Sequence, residues 1–365
     1  MKNASFLIKP ASSNCNLRCT YCFYHDVSAN REQADYGIMS ETTMNEMINK
    51  VFDEMDEEGH VTFAFQGGEP TVAGLPYFKR FVNKVNQARK SVSIHYAIQT
   101  NGTLIDDEWC EFFHEHNFLV GVSLDGYESN TNLFRYDAKG KGVYFKIMQG
   151  IKLLRKHHVD FNVLTVLSER LAKHPEALYN YFCSQKFDYI QLIPCLPSLS
   201  DDEIMNKEAL TPQTYASFFK SFFDLWFTDV KKGKMMSVNQ FDNLLTMIKG
   251  YAPYQCGILG HCSVQCVVEG DGSVYPCDFF VSEDKRCGNF KDSSLNEMLT
   301  SEAAQKFVNE EIKTREICLN CEYKKICNGG CKRMNVCFLE EDFCGYQQLL
   351  RHALNSLEEV AKRMN

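Results

Sequence analysis

The sequence predicts a mixed α/β protein: a partial (β/α)6 barrel, an open relative of the TIM-like (β/α)8 fold, followed by a cysteine-rich C-terminal module. Three observations predict it. Short β-rich runs alternate with amphipathic stretches of helix length through the first half of the chain, the pattern of βα units on a parallel sheet. Polar and glycine-rich motifs fall directly after four of those runs, where the loops of a parallel barrel build a site. Seventeen cysteines occur in 365 residues and are densest after residue 255.

The candidate strands are 6–9, 61–66, 92–99, 118–124, 161–167 and 189–193. Helical stretches 41–55, 76–89, 106–116, 144–157 and 175–184 lie between them. The stretch 14–22 follows the first strand, Gly67-Gly68-Glu69-Pro70 the second, Thr100-Asn101-Gly102 the third and Asp125-Gly126 the fourth. Two further helices, 214–231 and 238–249, lead into the cysteine-dense region. There the runs 264–268 and 273–275 flank Glu269-Gly270-Asp271-Gly272, whose Asp-Gly pair is a hairpin turn former. An amphipathic helix, 347–364, closes the chain. The expected division is a barrel with connecting helices over 1–240 and a cysteine-rich domain over 250–365.

Composition narrows the function classes. A 44% hydrophobic content supports a large core. The net charge is −8 and no Lys/Arg block stands out, so neither a nucleic acid nor an anionic membrane is an expected partner. No run of 18 apolar residues predicts a membrane helix, and residues 1–10 lack the apolar core of a signal peptide. A cytoplasmic protein is expected, and in a reducing compartment clustered thiols read as metal ligands rather than disulfides.

Cys15, Cys19 and Cys22 are separated by three and two residues, so one loop can wrap three corners of a cubane. A [4Fe–4S] cluster normally takes four thiolates; three leave one iron open to a bidentate small molecule. A zinc site completed by a distant fourth ligand is the alternative. Downstream, Cys256, Cys262, Cys277, Cys318, Cys321, Cys327, Cys331 and Cys344 are enough for two four-thiolate clusters, or for a pair of interleaved zinc sites. Cys110, Cys183, Cys195, Cys266, Cys287 and Cys337 read as small buried hydrophobes.

The motif Cys15-Asn-Leu-Arg-Cys19-Thr-Tyr21-Cys22 resembles the signature of the radical S-adenosylmethionine (AdoMet, SAM) superfamily. That resemblance implies AdoMet on the open iron, cleaved to methionine and a 5′-deoxyadenosyl radical, with Tyr21 among the cofactor-binding residues. Gly67-Gly68-Glu69-Pro70 resembles the second motif of the superfamily. Its glycines permit close backbone approach, and with Glu69 they are expected to bind the methionine ammonium. Ser123 and Arg135 are expected at the AdoMet carboxylate and ribose. The C-terminal cysteines resemble the SPASM auxiliary-cluster domain. The resemblance implies Cys256, Cys262, Cys277 and Cys331 for one cluster and Cys318, Cys321, Cys327 and Cys344 for the other, three [4Fe–4S] clusters in all. The segment between Cys331 and Cys344 is shorter than in relatives, which leaves Cys337 as the alternative to Cys344.

Over essentially its whole length the chain resembles the anaerobic sulfatase-maturating enzymes. The markers are Leu7-Ile8-Lys9-Pro10-Ala11-Ser12-Ser13, Cys22-Phe23-Tyr24-His25, Tyr36-Gly37-Ile38-Met39, Phe65 to Thr71, Gln99 to Thr103 and Tyr275-Pro276-Cys277-Asp278-Phe279. The resemblance implies oxidation of a Cys or Ser side chain of a sulfatase precursor to Cα-formylglycine. Asp278 is the expected base, and Tyr24, Gln66 and Gln99 the expected substrate contacts. The implied partners are an unfolded protein or peptide with a sulfatase-like Cys/Ser motif and a one-electron donor such as flavodoxin or ferredoxin. One segment departs: after Leu124-Asp125-Gly126 relatives continue with Pro and then His, whereas this chain has Tyr127-Glu128-Ser129-Asn130-Thr131-Asn132. That leaves open another ribosomally made peptide as substrate, modified by thioether cross-linking, oxidative decarboxylation or epimerisation. A non-catalytic electron carrier or zinc scaffold is a further alternative, against which the Gly67–Pro70 motif and the open three-cysteine loop both argue.

Overall fold

The computed structural model describes residues 1–89, 91–311 and 315–363. Its strands are β1 (Asn3–Ile8), β2 (His60–Phe65), β3 (Ser93–Thr100), β4 (Phe118–Ser123), β5 (Phe161–Leu167), β6 (Tyr189–Pro194), β7 (Ser237–Val238), β8 (Val267–Val268), β9 (Ser273–Tyr275) and β10 (Gly288–Asn289). Packing groups the chain into two compact units. The first takes Met1–Ser123, Arg135–Phe161 and Ser263–Glu310; the second takes Leu124–Phe134, Asn162–Cys262 and Glu311–Asn365.

In the first unit the sheet runs β10-β9-β8-β1-β2-β3-β4. β1 to β4 are parallel neighbours, as the alternation of strand and helix requires. Phe63 and Phe65 on β2 are fully buried and meet Phe81 of the helix Leu75–Ala88 edge-on at 5.1 and 4.9 Å. Such aromatic pairs add about 0.5–1.5 kcal/mol each beyond the area they bury. The covering helices begin at side-chain caps. Ser40 accepts from Thr43 N ahead of Glu41–Glu54, and Asp106 accepts from Trp109 N ahead of Asp107–Glu115.

The packing units do not follow the linear division at residues 240–250. β8 runs parallel to β1, with Leu7 opposite Val267 and Ile8 opposite Val268, so the hairpin of the cysteine-rich region extends the first sheet. β8 is also shorter than the run 264–268. Cys266 has φ +48°, a left-handed conformation that ends an extended strand. The turn itself forms as expected, with Glu269 N bonded to Ser273 O and Gly272 at φ +88°.

In the second unit β5, β6 and β7 are parallel. The helix Pro212–Lys231 buries a face of Tyr215, Phe218, Phe219, Phe222, Phe223 and Trp226. It packs against the closing helix Gly345–Arg363; residue 364, the expected end of that helix, lies outside the described residues. No helix among the described residues is long and apolar enough to cross a membrane.

Candidate active site

The cysteine loop leaves the carboxyl end of β1 and is held by its neighbours. Gly68 N donates to Ser12 O at 2.8 Å and Glu69 N to Asn14 O at 2.8 Å. A Cβ on Gly68 would stand 2.2 Å from Asn14 O, so no other residue fits there without moving the loop. On the far side Arg18 N donates to Tyr136 O, and Leu17 forms an isolated bridge with Asp137. This brings Arg135 beside the loop, its guanidinium 5.6 Å above the Tyr21 ring. Ser123 closes β4 and is half-buried. Asn101 reaches the loop through Asn16 Oδ1 at 2.9 Å, and its Nδ2 lies 4.0 Å from Cys15 Sγ. Cys15, Cys19 and Cys22 are half-buried and outside any disulfide. Burial pushes the Cys15 thiol up to about 11. This donor set suits an iron cluster with one open corner: three thiols on one loop, bound from two sides by backbone hydrogen bonds, with an arginine alongside. Cys22 ends the loop and caps the helix Phe23–Ala29, an element too short for its periodicity to be read from sequence.

Glu69 lies in the loop that follows β2. It is 1% exposed, and the protein itself satisfies its carboxylate. Oε1 accepts from Thr71 N at 3.0 Å, Thr71 Oγ1 at 2.6 Å and Thr100 Oγ1 at 2.7 Å; Oε2 accepts from Asn101 N at 2.7 Å. With these donors it ties the loop after β2 to the loop after β3, and Oε2, which accepts from Asn101 N alone, keeps one further acceptor direction.

A second constellation surrounds Asp278, which follows β9. Its Oδ1 lies 3.0 Å from Lys9 Nζ. Lys9, directly after β1, is 3% exposed and also pairs with Glu269 Oε1 at 3.4 Å. Glu269 is held further by Arg31 Nη1 at 2.6 Å and by Ser12 Oγ at 3.0 Å. Burial opposes the charge on Lys9, but Asp278 and Glu269 outweigh it and its pKa is raised. Burial likewise pushes the Glu269 carboxyl up, while Lys9 and Arg31 pull it to a net value below the usual range. Tyr24 stands beside this group, with Lys9 Nζ 5.1 Å from its ring centroid, and donates to Gln66 Oε1 at 2.7 Å. Burial first, then Asp278, holds the Tyr24 phenol well above its ordinary value. Tyr24, Gln66 and Asp278 are thus brought together. Gln99 follows Ile98, the register partner of Phe65, so it neighbours Gln66 at the same end of the sheet. Lys9, Glu269 and Arg31 carried no functional assignment from sequence. The available signals were a lysine continuing the apolar run of β1 and a glutamate directly after Val267-Val268.

In the second unit a cavity is walled by Cys318, Cys321, Cys327 and Cys344, with Tyr346 and Gln347. Four thiols lining one cavity suit a closed four-thiolate cluster. Cys337 lies elsewhere, fully buried, with its Sγ 3.4 Å from Cys195 O. Cys331 Cβ lies 3.8 Å from the position of a Cβ on Gly257, next to Cys256. Cys256, Cys262 and Cys331 belong to the second unit and Cys277 to the first.

Comparison with known proteins identifies the class. The profile of the radical SAM superfamily matches residues 10–182, and that of the SPASM iron-sulfur cluster-binding domain matches residues 260–322. With the parallel sheet and the cysteine loop at its carboxyl edge, these define a radical AdoMet oxidoreductase, whose cofactors are AdoMet and [4Fe–4S] clusters. The chain is 40% identical, over 100% of its own length and of the relative's, to the cysteine-type anaerobic sulfatase-maturating enzyme of Clostridium perfringens (strain 13 / Type A). It is 30% identical to the serine-type enzyme of Bacteroides thetaiotaomicron, covering 98% of this chain and 90% of that one. A solved structure, native anSMEcpe with bound AdoMet and Kp18Cys peptide, superposes with a TM-score of 0.90 at 38% identity and covers 99% of each chain. The chain belongs to the family of anaerobic sulfatase-maturating enzymes.

Proposed function

We propose that this protein oxidises a cysteine side chain of a sulfatase-type peptide to Cα-formylglycine. The observation that carries the reading is the Asp278 carboxylate, next in sequence to Cys277, 3.0 Å from Lys9 Nζ and beside Tyr24. A peptide substrate is supported by the similar solved structure, which holds the Kp18Cys peptide together with AdoMet. Cysteine rather than serine is supported by 40% identity to a cysteine-type relative against 30% to a serine-type one.

In this reading Cys15, Cys19 and Cys22 hold the cluster that binds AdoMet, with Tyr21, Gly67, Gly68, Glu69, Ser123 and Arg135 lining the cofactor, Glu69 also tying together the loops after β2 and β3. Cys256, Cys262, Cys277 and Cys331 hold the first auxiliary cluster, and Cys318, Cys321, Cys327 and Cys344 the second. The functional division is a barrel over 1–240 and an auxiliary-cluster domain over 250–365. Bound AdoMet would supply the hydrogen-atom abstraction at the substrate Cβ, and the auxiliary clusters would supply an acceptor for the remaining electron. Asp278 takes the thiol proton, a step for which a carboxylate in contact with the reacting group is suited. Lys9 fixes that carboxylate and gives it a counter-charge, while Tyr24, Gln66 and Gln99 orient the peptide. Loss of one hydrogen atom, one proton and one electron leaves a thioaldehyde on the substrate. Water converts it to the aldehyde and releases hydrogen sulfide. A flavodoxin or ferredoxin in the cytoplasm fits as the external electron donor, and neither nucleic acid nor membrane has a part.

The test is incubation of reconstituted protein and AdoMet, under dithionite, with a peptide bearing a Cys-x-Pro-x-Arg core and with its Ser counterpart. Mass spectrometry after hydrazide trapping should find the aldehyde in the Cys peptide, formed faster than in the Ser peptide. Competent AdoMet cleavage with neither peptide converted contradicts the reading.

A further inference from the structure

The cavity of Cys318, Cys321, Cys327 and Cys344 meets the first turn of the helix Gly345–Arg363. Gln347, 8% exposed, donates twice into it. Its backbone N–H reaches Cys344 Sγ at 3.3 Å, and its side-chain Nε2 reaches Cys321 Sγ at 3.3 Å. Beside it the Tyr346 hydroxyl is buried and has no hydrogen-bond partner among the described residues. A buried hydroxyl left without a partner is costly, and this one stands on the wall of the thiol cavity. An amide that donates to a thiol sulfur donates more strongly to a thiolate.

We propose that the Gln347 amide and the Tyr346 hydroxyl are outer donors to the sulfur atoms of the second auxiliary cluster and raise its reduction potential. The proposal rests on the ligand reading given above. One-electron reduction adds negative charge to a cluster. Hydrogen bonds to its sulfurs favour that reduced form, and with burial they set the potential for a given ligand set.

The experiment is an EPR-monitored redox titration of anaerobically reconstituted full-length protein, with iron counted in each sample. The signal of the second auxiliary cluster is identified by its loss in C318A/C321A. If that variant keeps all its clusters, the ligand reading fails before the tuning is tested. With that signal assigned, Q347L should lower its potential at full iron content and Q347E should lower it further, since a carboxylate adds like charge. Y346F should produce a smaller shift in the same direction. The potentials of the other two clusters should not move. Unchanged potentials in both Gln347 variants overturn the proposal. So does loss of the cluster in both, which would make Gln347 a packing residue.

Discussion

The cysteine loop of the first unit and the cysteine cavity of the second use the same donor and differ in what holds it. Cys15, Cys19 and Cys22 are half-buried, and their loop is fixed from outside, by Gly68 and Glu69 below and Tyr136 alongside. Cys318, Cys327 and Cys344 are buried, and Gln347 alone donates to two sulfurs, those of Cys344 and Cys321, whereas in the loop Leu17 N reaches Cys15 Sγ at 3.4 Å. A three-thiol site must keep one corner open, so its geometry has to be imposed by a frame that is not itself a ligand. A four-thiol site is closed by its ligands, and the surrounding groups are free to tune it.

The strongest way to break this comparison is C15A/C19A/C22A. It should remove one of the three clusters and abolish AdoMet cleavage, while the auxiliary signals persist in EPR. Cleavage retained in that variant would dismantle the distinction.

Next in size is the ion-pair frame beneath Asp278. E269Q leaves Arg31 and part of the Lys9 charge buried without compensation, a lesion that costs about 3–5 kcal/mol of stability. The pH dependence follows from the lowered pKa of Glu269, caused by Lys9 and Arg31 against the opposing effect of burial. Its stabilising contribution is present above the unfolded value of about 4.3 and is lost as pH falls through the lower folded value. Chemical denaturation should therefore separate E269Q from wild type at neutral pH and bring the two together in acid. A gap that persists unchanged in acid would assign the loss to packing.

A smaller effect sharpens the role of Glu69. In E69Q an amide N–H₂ meets at least one of the four donors that face the carboxylate, at a cost of about 1–3 kcal/mol. Thermal unfolding should show the loss, and AdoMet affinity should weaken through the displaced loops. Wild-type stability with weakened AdoMet binding would make Glu69 a ligand contact alone, with no part in tying the loops.

These residues also mark what the sequence could and could not disclose. Apolar periodicity sets β1 to β6 and their covering helices to within a few residues, because each strand has one face against the core. The hairpin turn was legible in Asp271-Gly272. The short helices Phe23–Ala29 and Glu128–Phe134 and the two-residue strands β7 and β10 were not, since so few residues carry no period. Lys9 and Glu269 are far apart in the chain and meet only because β8 pairs with β1. Nothing local in either residue announces an ion pair. Cys337 and Cys344 are the same residue type within one short segment, and only the fold sets Cys344 at the cavity wall and Cys337 against Cys195.

Asp278 could act on the substrate or on the neighbouring Cys277, and one measurement separates the two. In D278N, iron content, deoxyadenosine and peptide aldehyde are quantified together under single-turnover conditions. Loss of a placed base costs about 10²–10⁴ in rate. Action on the substrate predicts unchanged iron and continuing deoxyadenosine formation, with aldehyde reduced by that factor so that the two products uncouple. Aldehyde formation at the wild-type rate, or aldehyde and iron lost in parallel, would contradict it.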